Sequence, residues 1–489
     1  MAKSPAGKHA LKAAPSAADA SPSKPVDYFT HTDEGNVDRF IAAYSNRIRY
    51  DETRDKWYLW REHWWKEVGY SVIHEAASKL VRGLHDKATE QNHDSLALWL
   101  YKSMSGSHIR EMINRAKLIL PICVRESGTW NRNPWLLGVG NGVVDLRTGE
   151  LCKGAKSDYV NCHSQITFDP SAVATVFPAS LRQIFCERED LIDYVLTAFG
   201  YALTGLTNER TMFILHGSGS NGKSKLLELL AYILGDGEAG YAKSVPANSL
   251  KPDNRGNPDA PRNDLATIAD ARLVLVNESD LKQGVAESMV KWLTGGDMIS
   301  ARFNHGKPFQ YRPRYKIFLS CNHRPVVRGT DAAIWNRLPL IPFEAKFEGA
   351  SEDIYLIDKW KAEASGILNL LIQYCLKWQQ SRLQRPECIT VASSEYRTQS
   401  NPIAPFLDAC CSYDPEKIKD STFRDGVEPG DLWEHYVLYC HKVREKPDDV
   451  RKFKANMEAF GFEQVRMNAR RVWRGVFMEK AEEIQVDTL

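Results

Sequence analysis

Three things are scarce in this chain of 489 residues, and each scarcity removes a class of function. Net charge is nearly absent: 64 Lys and Arg against 62 Asp and Glu leave +2. The chain as a whole is no polycation, so any nucleic-acid surface must come from local clustering of cations. Long apolar runs are absent: none approaches the ~18 residues a membrane-crossing helix needs, and the N-terminus lacks the apolar core of a secretory signal. Paired cysteines are absent: none of the ten forms a CxxC pair, and Cys162–His163 and Cys410–Cys411 lack metal-ligand spacing. They read as buried thiols of a reducing, cytoplasmic compartment, with neither a disulfide frame nor a zinc site. No repeat of solenoid type is found either.

What is present is the composition of a globular protein, 43% hydrophobic and 26% charged, long enough for roughly two to four domains. Residues 1–27 are rich in Ala, Ser, Pro and Lys and nearly free of large apolar groups. Such a segment cannot repay its ordering entropy and reads as a disordered tail. Residues 28–170 are mixed: "VDRFIAAYSNRIRY" and "HIREMINRAKLIL" have helical periodicity, and "KWYLWREHWWKEV" alternates like a strand pair. Its aromatic stripe serves either a core or base stacking. "NGVVDLRTGEL" reads as strand, turn at Thr148–Gly149, strand. Residues 171–210 are helical, 211–345 alternate short apolar runs with loops and helices in a three-layer α/β pattern, 346–402 are helical again, and 403–489 form a small separate domain.

The most specific signal is "ILHGSGSNGKSKLLELL". Gly217, Ser218, Gly219, Ser220, Asn221, Gly222, Lys223 and Ser224 fit GxxxxGK[ST] without a mismatch. A strand candidate, "TMFIL", precedes it, and a helix candidate stopped by Gly235 follows it. Glycines let successive backbone N–H groups turn toward phosphates, and the helix N-terminus adds partial positive charge. Lys223 then reaches the β/γ-phosphates of ATP, and the Ser224 hydroxyl ligates Mg2+. Two more apolar strands end in polar groups: Glu278 follows "ARLVLVN" and suits a metal or water carboxylate, and Asn322 ends "YKIFLSCN" and suits a sensor of the γ-phosphate. Ligand chemistry belongs at such strand ends in open α/β sheets.

These elements, with "KWLTGGDMISAR" between them, resemble the superfamily 3 helicases, above all the helicase part of phage and plasmid primase-helicases and of the poxvirus primase-helicase. The likeness runs from about Tyr28 to Thr398. It implies a P-loop, AAA+-like ATPase core, catalytic roles for Lys223, Glu278, Asn322 and Arg337, and Mg2+ held by Ser224 and Glu278. Arg337 would be an arginine finger supplied to a neighbour in a ring, a hexamer by the resemblance. Lys225 stands where threonine is usual, and Asn336 where a second arginine is common, which leaves Arg337 as the finger and Arg328 as a stand-in. "ISARFNHGKPFQYRP" reads as strand, turn at His305–Gly306, strand. Arg302, His305 and Lys307 on it match the family's DNA-gripping hairpin. Residues 28–170 resemble the family's N-terminal helicase-associated domain. No primase domain is read upstream, so primer synthesis is expected in a separate primase or polymerase chain, or in a part missing from a truncated one.

From Lys442 to Arg474 ten Lys and Arg face five Asp and Glu. Helix, helix and two strands around a basic turn look like a winged helix, with Arg466, Arg470, Arg471 and Arg474 on or beside the wing. The region binds DNA, packs subunits or docks a protein partner. Two readings therefore stand: an ATP-driven helicase on single-stranded and forked DNA in phage or mobile-element replication, and an origin-binding assembly protein that does not unwind. A packaging or partitioning ATPase is a weaker third.

Overall fold

The computed structural model describes residues 28–478, apart from 127, 251–261, 278–284, 305, 326, 328–331, 402, 415, 416, 419, 421, 468 and 469. Thr32 caps the first helix, α1 (Asp33–Tyr44), by accepting the Gly35 N–H. The helical period read through residue 50 stops earlier. Ile48–Asp51 is buried on both faces and forms strand β1, with its backbone partners across the sheet. β2 (Lys56–Arg61) and β3 (Trp64–Val68) are the expected strand pair. Trp57, Tyr58, Trp64 and Trp65 are each at most 8% exposed, so these four rings are core rather than a stacking platform. Helices α2 (Tyr70–Glu90), α3 (Asp94–Ser103) and α4 (Gly106–Ala116) cover a sheet of order β3-β2-β1-β4, closed by β4 (Cys123–Val124). Val37 to Ile122 supply one core to this unit.

β5 (Leu136–Val139), β6 (Gly142–Asp145) and β7 (Glu150–Cys152) form an antiparallel meander. Leu137, Val139, Val144 and Leu146 from it join the central core, together with α5 (Val176–Ile184) and α6 (Glu189–Ala202).

The centre is a five-stranded, all-parallel sheet. Its strands are β8 (Met212–His216), β9 (Ala242–Pro246), β10 (Leu273–Asn277), β13 (Lys316–Cys321) and β14 (Leu340–Pro342), in the order β14-β8-β13-β10-β9. The interior strands are nearly continuous apolar runs, as burial on both faces requires. Between them lie α7 (Lys223–Leu234), α8 (Asn263–Thr267), α9 (Glu287–Thr294), the hairpin β11 (Ile299–Ala301) and β12 (Phe309–Tyr311), and α10 (Ala332–Trp335). Helices α11 (Leu356–Ala362), α12 (Ala364–Ser381) and α13 (Glu387–Gln399) follow, and α12 packs along α6.

Two buried cations anchor the N-terminal ends of the sheet. Arg272 donates to the carbonyls of Leu203 and Leu136, and Lys316 to that of Thr204 and, at 3.3 Å, that of Leu206. The carbonyl oxygens offset much of the cost of burying these charges.

α14 (Ala404–Cys410) opens the last unit, which has its own core from Ile403 to Val476. β15 (Cys411–Tyr413) pairs with β19 (Val476–Met478). β16 (Gly426–Val427), β18 (Arg470–Arg474) and β17 (Gln464–Met467) make a sheet beside helices Pro429–Lys442 and Val450–Phe460. Among the described residues no helix is long and apolar enough to cross a membrane, and the ten cysteines are free thiols.

His163 gives the fold an acid-sensitive joint. Its ring stacks on Trp64 at 3.8 Å, and its backbone N–H donates to Ala239 O. Burial, then the nearby His63 and Lys66, pushes its pKa down to about 4. The unfolded chain therefore binds the extra proton first, so stability falls as pH drops from about 6.5 toward 4, by up to ~1.4 kcal/mol per unit. Replacing His163 by Gln should flatten that part of the pH–Tm curve; an unchanged slope would assign it to other groups.

Candidate functional site

Strand β8 ends at His216, and the chain turns back through Gly217–Gly222 into α7. The turn requires left-handed backbone at Gly219, Ser220 and Gly222, with φ of +100°, +48° and +88°. It also requires a bare Cα at residue 217, where a Cβ would lie 2.2 Å from Phe343 O and 2.4 Å from Asn221 Nδ2. Asn221 Nδ2 in turn donates to Phe343 O at 3.3 Å, bracing the loop against the residue after β14.

Lys223 opens α7 and is only 4% exposed. Its Nζ donates to Gly217 O at 2.5 Å, Asn221 Oδ1 at 3.1 Å and Asn322 Oδ1 at 3.3 Å. Asn322 stands beside it because β13 pairs with β8 in a register that sets Cys321 against His216. Residues 99 apart in sequence thus share one ammonium at the carboxyl end of the sheet. Asn277, the last residue of β10, aligns with Ser320 of β13. Glu278, His305 and Arg328 lie outside the described residues.

A cavity of about 670 Å³ opens over this loop. One wall is the loop with Asn322. The others are α5, through Val176, Ala179 and Ile184, and the segment Phe347 to Leu356. Neither wall was singled out in the sequence, because both lie far along the chain from the glycine loop. Three contacts fix them. Phe347 N–H donates to Ser220 O at 2.7 Å, and Lys225 Nζ to Asp353 O at 2.9 Å. The Glu363 carboxylate accepts the N–H groups of Thr175, Val176 and Phe177 at 2.9–3.1 Å, capping α5 from α11's end. Burial raises the Glu363 pKa, but these donors outweigh it and hold the group below its ordinary value.

Arg337 sits elsewhere. Its carbonyl accepts the Met212 N–H at 2.8 Å, so it lies at the start of β8, whereas the glycine loop leaves that strand's end. The four steps from Met212 to His216, at ~3.3 Å each, separate the two edges by roughly 13 Å. Its guanidinium donates to Thr294 Oγ1 at 2.8 Å and Lys291 O at 3.2 Å. Burial, then Arg210, lowers its pKa from the ordinary value, with Asp297 opposing.

The hairpin β11–β12 has the register Ala301↔Phe309, so its connection is residues 302–308, longer than the tight turn read at His305–Gly306. Phe303, Asn304, Gly306 and the exposed Lys307 face a cleft of about 1290 Å³ whose opposite wall includes Lys66 and Lys117 of the N-terminal unit. The two walls are tied together where Arg54, its side chain 9% exposed, pairs with Asp270 and lies 5.8 Å over the Phe309 ring. Arg302 is half-buried.

In the C-terminal unit Arg466 and Arg471 are exposed cross-strand neighbours, and exposed Arg470 pairs with Glu428 at 3.0 Å. Arg474 departs from its expected place on the wing. It is 6% exposed and spent internally, on Glu463 at 2.5 Å and Ile418 O at 3.1 Å.

Comparison with known proteins adds descent to this geometry. Residues 37–186 match the family model described as "D5 N terminal like", and residues 215–337 match a "Family of unknown function (DUF5906)". Over 391 residues the chain is 27% identical to a protein of Acanthamoeba polyphaga mimivirus named "Putative helicase", covering 72% of this chain. The chain is a homologue of viral helicase-type proteins. Further homologues are an invertebrate iridescent virus 6 protein with the same description, 25% identical over 57% of this chain, and an African swine fever virus protein named "Putative primase", 23% identical over 59%. The chain spans 40% of the mimivirus relative's length and 32% of each of the other two. Among solved structures it aligns with the NrS-1 C terminal region over 88% of this chain and 95% of that one, at 10% identity and TM-score 0.44.

Proposed function

We propose that this homologue of viral helicase-type proteins is an ATP-driven DNA helicase for virus, phage or mobile-element replication, a ring of identical subunits with ATP between them. The observation that carries the reading is the Lys223–Asn322 pairing over the glycine loop at the carboxyl edge of a parallel sheet. The Lys223 ammonium is seated at the mouth of the glycine loop, on the oxygens of Gly217, Asn221 and Asn322, where a cation meets the phosphates of a nucleotide bound along that loop. Gly217 to Ser224 are then a P-loop, with the triphosphate along the loop N–H groups and the nucleoside in the 670 Å³ cavity. The bare Gly217 and the left-handed turns fit close phosphate approach. Ser224 and Glu278 would hold Mg2+, which neutralises charge on the phosphates when bound. Lys223 holds the β/γ-phosphates, Asn322 orients the γ-phosphate or attacking water, and Glu278 polarises that water. Arg337, far from its own loop, serves the ATP of a neighbouring subunit.

The hairpin loop with Arg302, His305 and Lys307 grips a single strand through its phosphates, and its cleft exceeds the usual size of a small-molecule pocket. The C-terminal unit is a winged-helix-like module whose exposed Arg466, Arg470 and Arg471 add duplex contacts. The test is ATP-dependent strand displacement on a forked DNA, with native mass measurement of the assembly. In the same assay Lys307→Ala should slow unwinding and lower the slope of log K against log salt by about 0.7 per lost phosphate contact on single strands. ATP turnover and assembly with no displacement would favour the origin-binding, non-unwinding reading instead.

A further inference from the structure

The TGGD segment has no task in the reading above, yet it holds the arginine on which that reading depends. Helix α9 ends at Thr294, and its last carbonyls lack helical partners. Arg337 Nη1 takes two acceptors there, Lys291 O at 3.2 Å and Thr294 Oγ1 at 2.8 Å. The Thr294 oxygen accepts from Arg337 on a lone pair while its own proton is held the other way: Oγ1 donates to Val290 O at 2.7 Å. Thr294 is 5% exposed, so water does not readily replace its hydroxyl.

The glycines shape the same spot. A Cβ on Gly295 would stand 2.6 Å from Lys291 O, the carbonyl Arg337 uses, and Gly296 turns the chain with φ of +80°. Asp297 adds a negative charge that favours the guanidinium. Two residues later β11 begins, and Arg312, just past β12, donates to Gly296 O at 3.2 Å. Both arms of the hairpin therefore root in the turn that seats Arg337.

We infer that Thr294 is the positioning residue for Arg337, and that the TGGD turn is the joint linking the strand-gripping hairpin to the cation offered to a neighbour's nucleotide. This rests on the reading of Arg337 as a residue acting in trans. Losing the Thr294 hydroxyl leaves the guanidinium attached by Lys291 O alone and free to swing. The geometry at the neighbour's γ-phosphate degrades while ATP affinity, set by the neighbour's own loop, does not.

The experiment uses Thr294→Val, which keeps the shape and removes the acceptor, and Thr294→Ser, which keeps the hydroxyl. Thr294→Val should lower kcat for ATP about tenfold or more with KM nearly unchanged, and Thr294→Ser should restore most of it. Subunit mixing gives the second readout. Thr294→Val protein mixed with Arg337→Ala protein should show no recovery beyond the Thr294→Val rate, because both donate a defective finger. Mixed with Lys223→Ala protein it should recover in part, as Arg337→Ala does, because some interfaces then pair the intact loop of the Thr294→Val subunit with the well-seated arginine of the Lys223→Ala subunit; failure to recover where Arg337→Ala does would overturn the positioning role. A purely structural role overturns the inference: Thr294→Val and Thr294→Ser would then both lose Tm, and kcat would track folded protein. If Arg337→Ala and Lys223→Ala fail to complement despite subunit exchange, the trans reading itself falls. A kcat loss confined to Thr294→Val would then assign Thr294 to a role within its own subunit.

Discussion

Lys223→Ala protein should fold normally and hydrolyse no ATP above background. The side chain is buried, but Asn221 and Asn322, which accept from it, line the 670 Å³ cavity, so their orphaned oxygens can be re-solvated. The fold loses little. The site loses the cation that opens α7 at the mouth of the glycine loop, and with it the point charge on the β/γ-phosphates. Glu278→Gln makes the informative contrast: it should still bind ATP and lose turnover. Nucleotide binding by calorimetry and kcat by phosphate release separate the two. Substantial turnover in Lys223→Ala would move the nucleotide to another cavity.

Arg337→Ala should bind ATP normally and turn it over about 10³-fold more slowly. The position of Arg337 makes this a strict test. It sits at the opposite edge of β8 from its own loop, roughly 13 Å away by strand rise. From such a place the guanidinium does not touch the nucleotide on its own loop, so a direct catalytic contribution has to be made to a neighbour's site. Mixing Arg337→Ala with Lys223→Ala protein should return partial activity, since some interfaces then pair an intact loop with an intact arginine. Proven subunit exchange without recovery would leave Arg337 as a structural clamp between β14's approach and α9.

The sequence made the local parts of the site visible and hid the assembled ones. A glycine loop between a strand and a helix is legible because each residue's requirement is local: the left-handed φ values fall at Gly219, Ser220 and Gly222 within the motif. Asn322 was legible as the polar end of an apolar strand, and strand register then brought it to Lys223. The rest depended on contacts between distant segments. No periodicity announces that α5 and Phe347–Leu356 wall the cavity. Nor does any pattern show that Arg54 meets Asp270 across 216 residues. Counting cations in 442–474 found a basic region but could not tell exposed Arg466 and Arg471 from Arg474, because the difference is a neighbour, Glu463, that turns one guanidinium inward. The aromatic stripe at 57–65 was ambiguous for the same reason: core and stacking platforms use the same residues, and burial decides. The boundary of α1 was lost because a strand buried on both faces continues an apolar pattern that a helix began.

The Glu363 cap on α5 has a consequence for how the molecule is made. A helix wall of the cavity is finished by a carboxylate 187 residues further along the chain. On a ribosome adding about 5–20 residues per second, that carboxylate emerges roughly 10–40 s after the helix it caps. During that interval the glycine loop can exist with an incomplete cavity. Nascent chains halted before residue 363 should therefore bind nucleotide poorly even though the motif is already exposed, and nucleotide added during translation should speed acquisition of protease resistance only once α11 has left the exit tunnel.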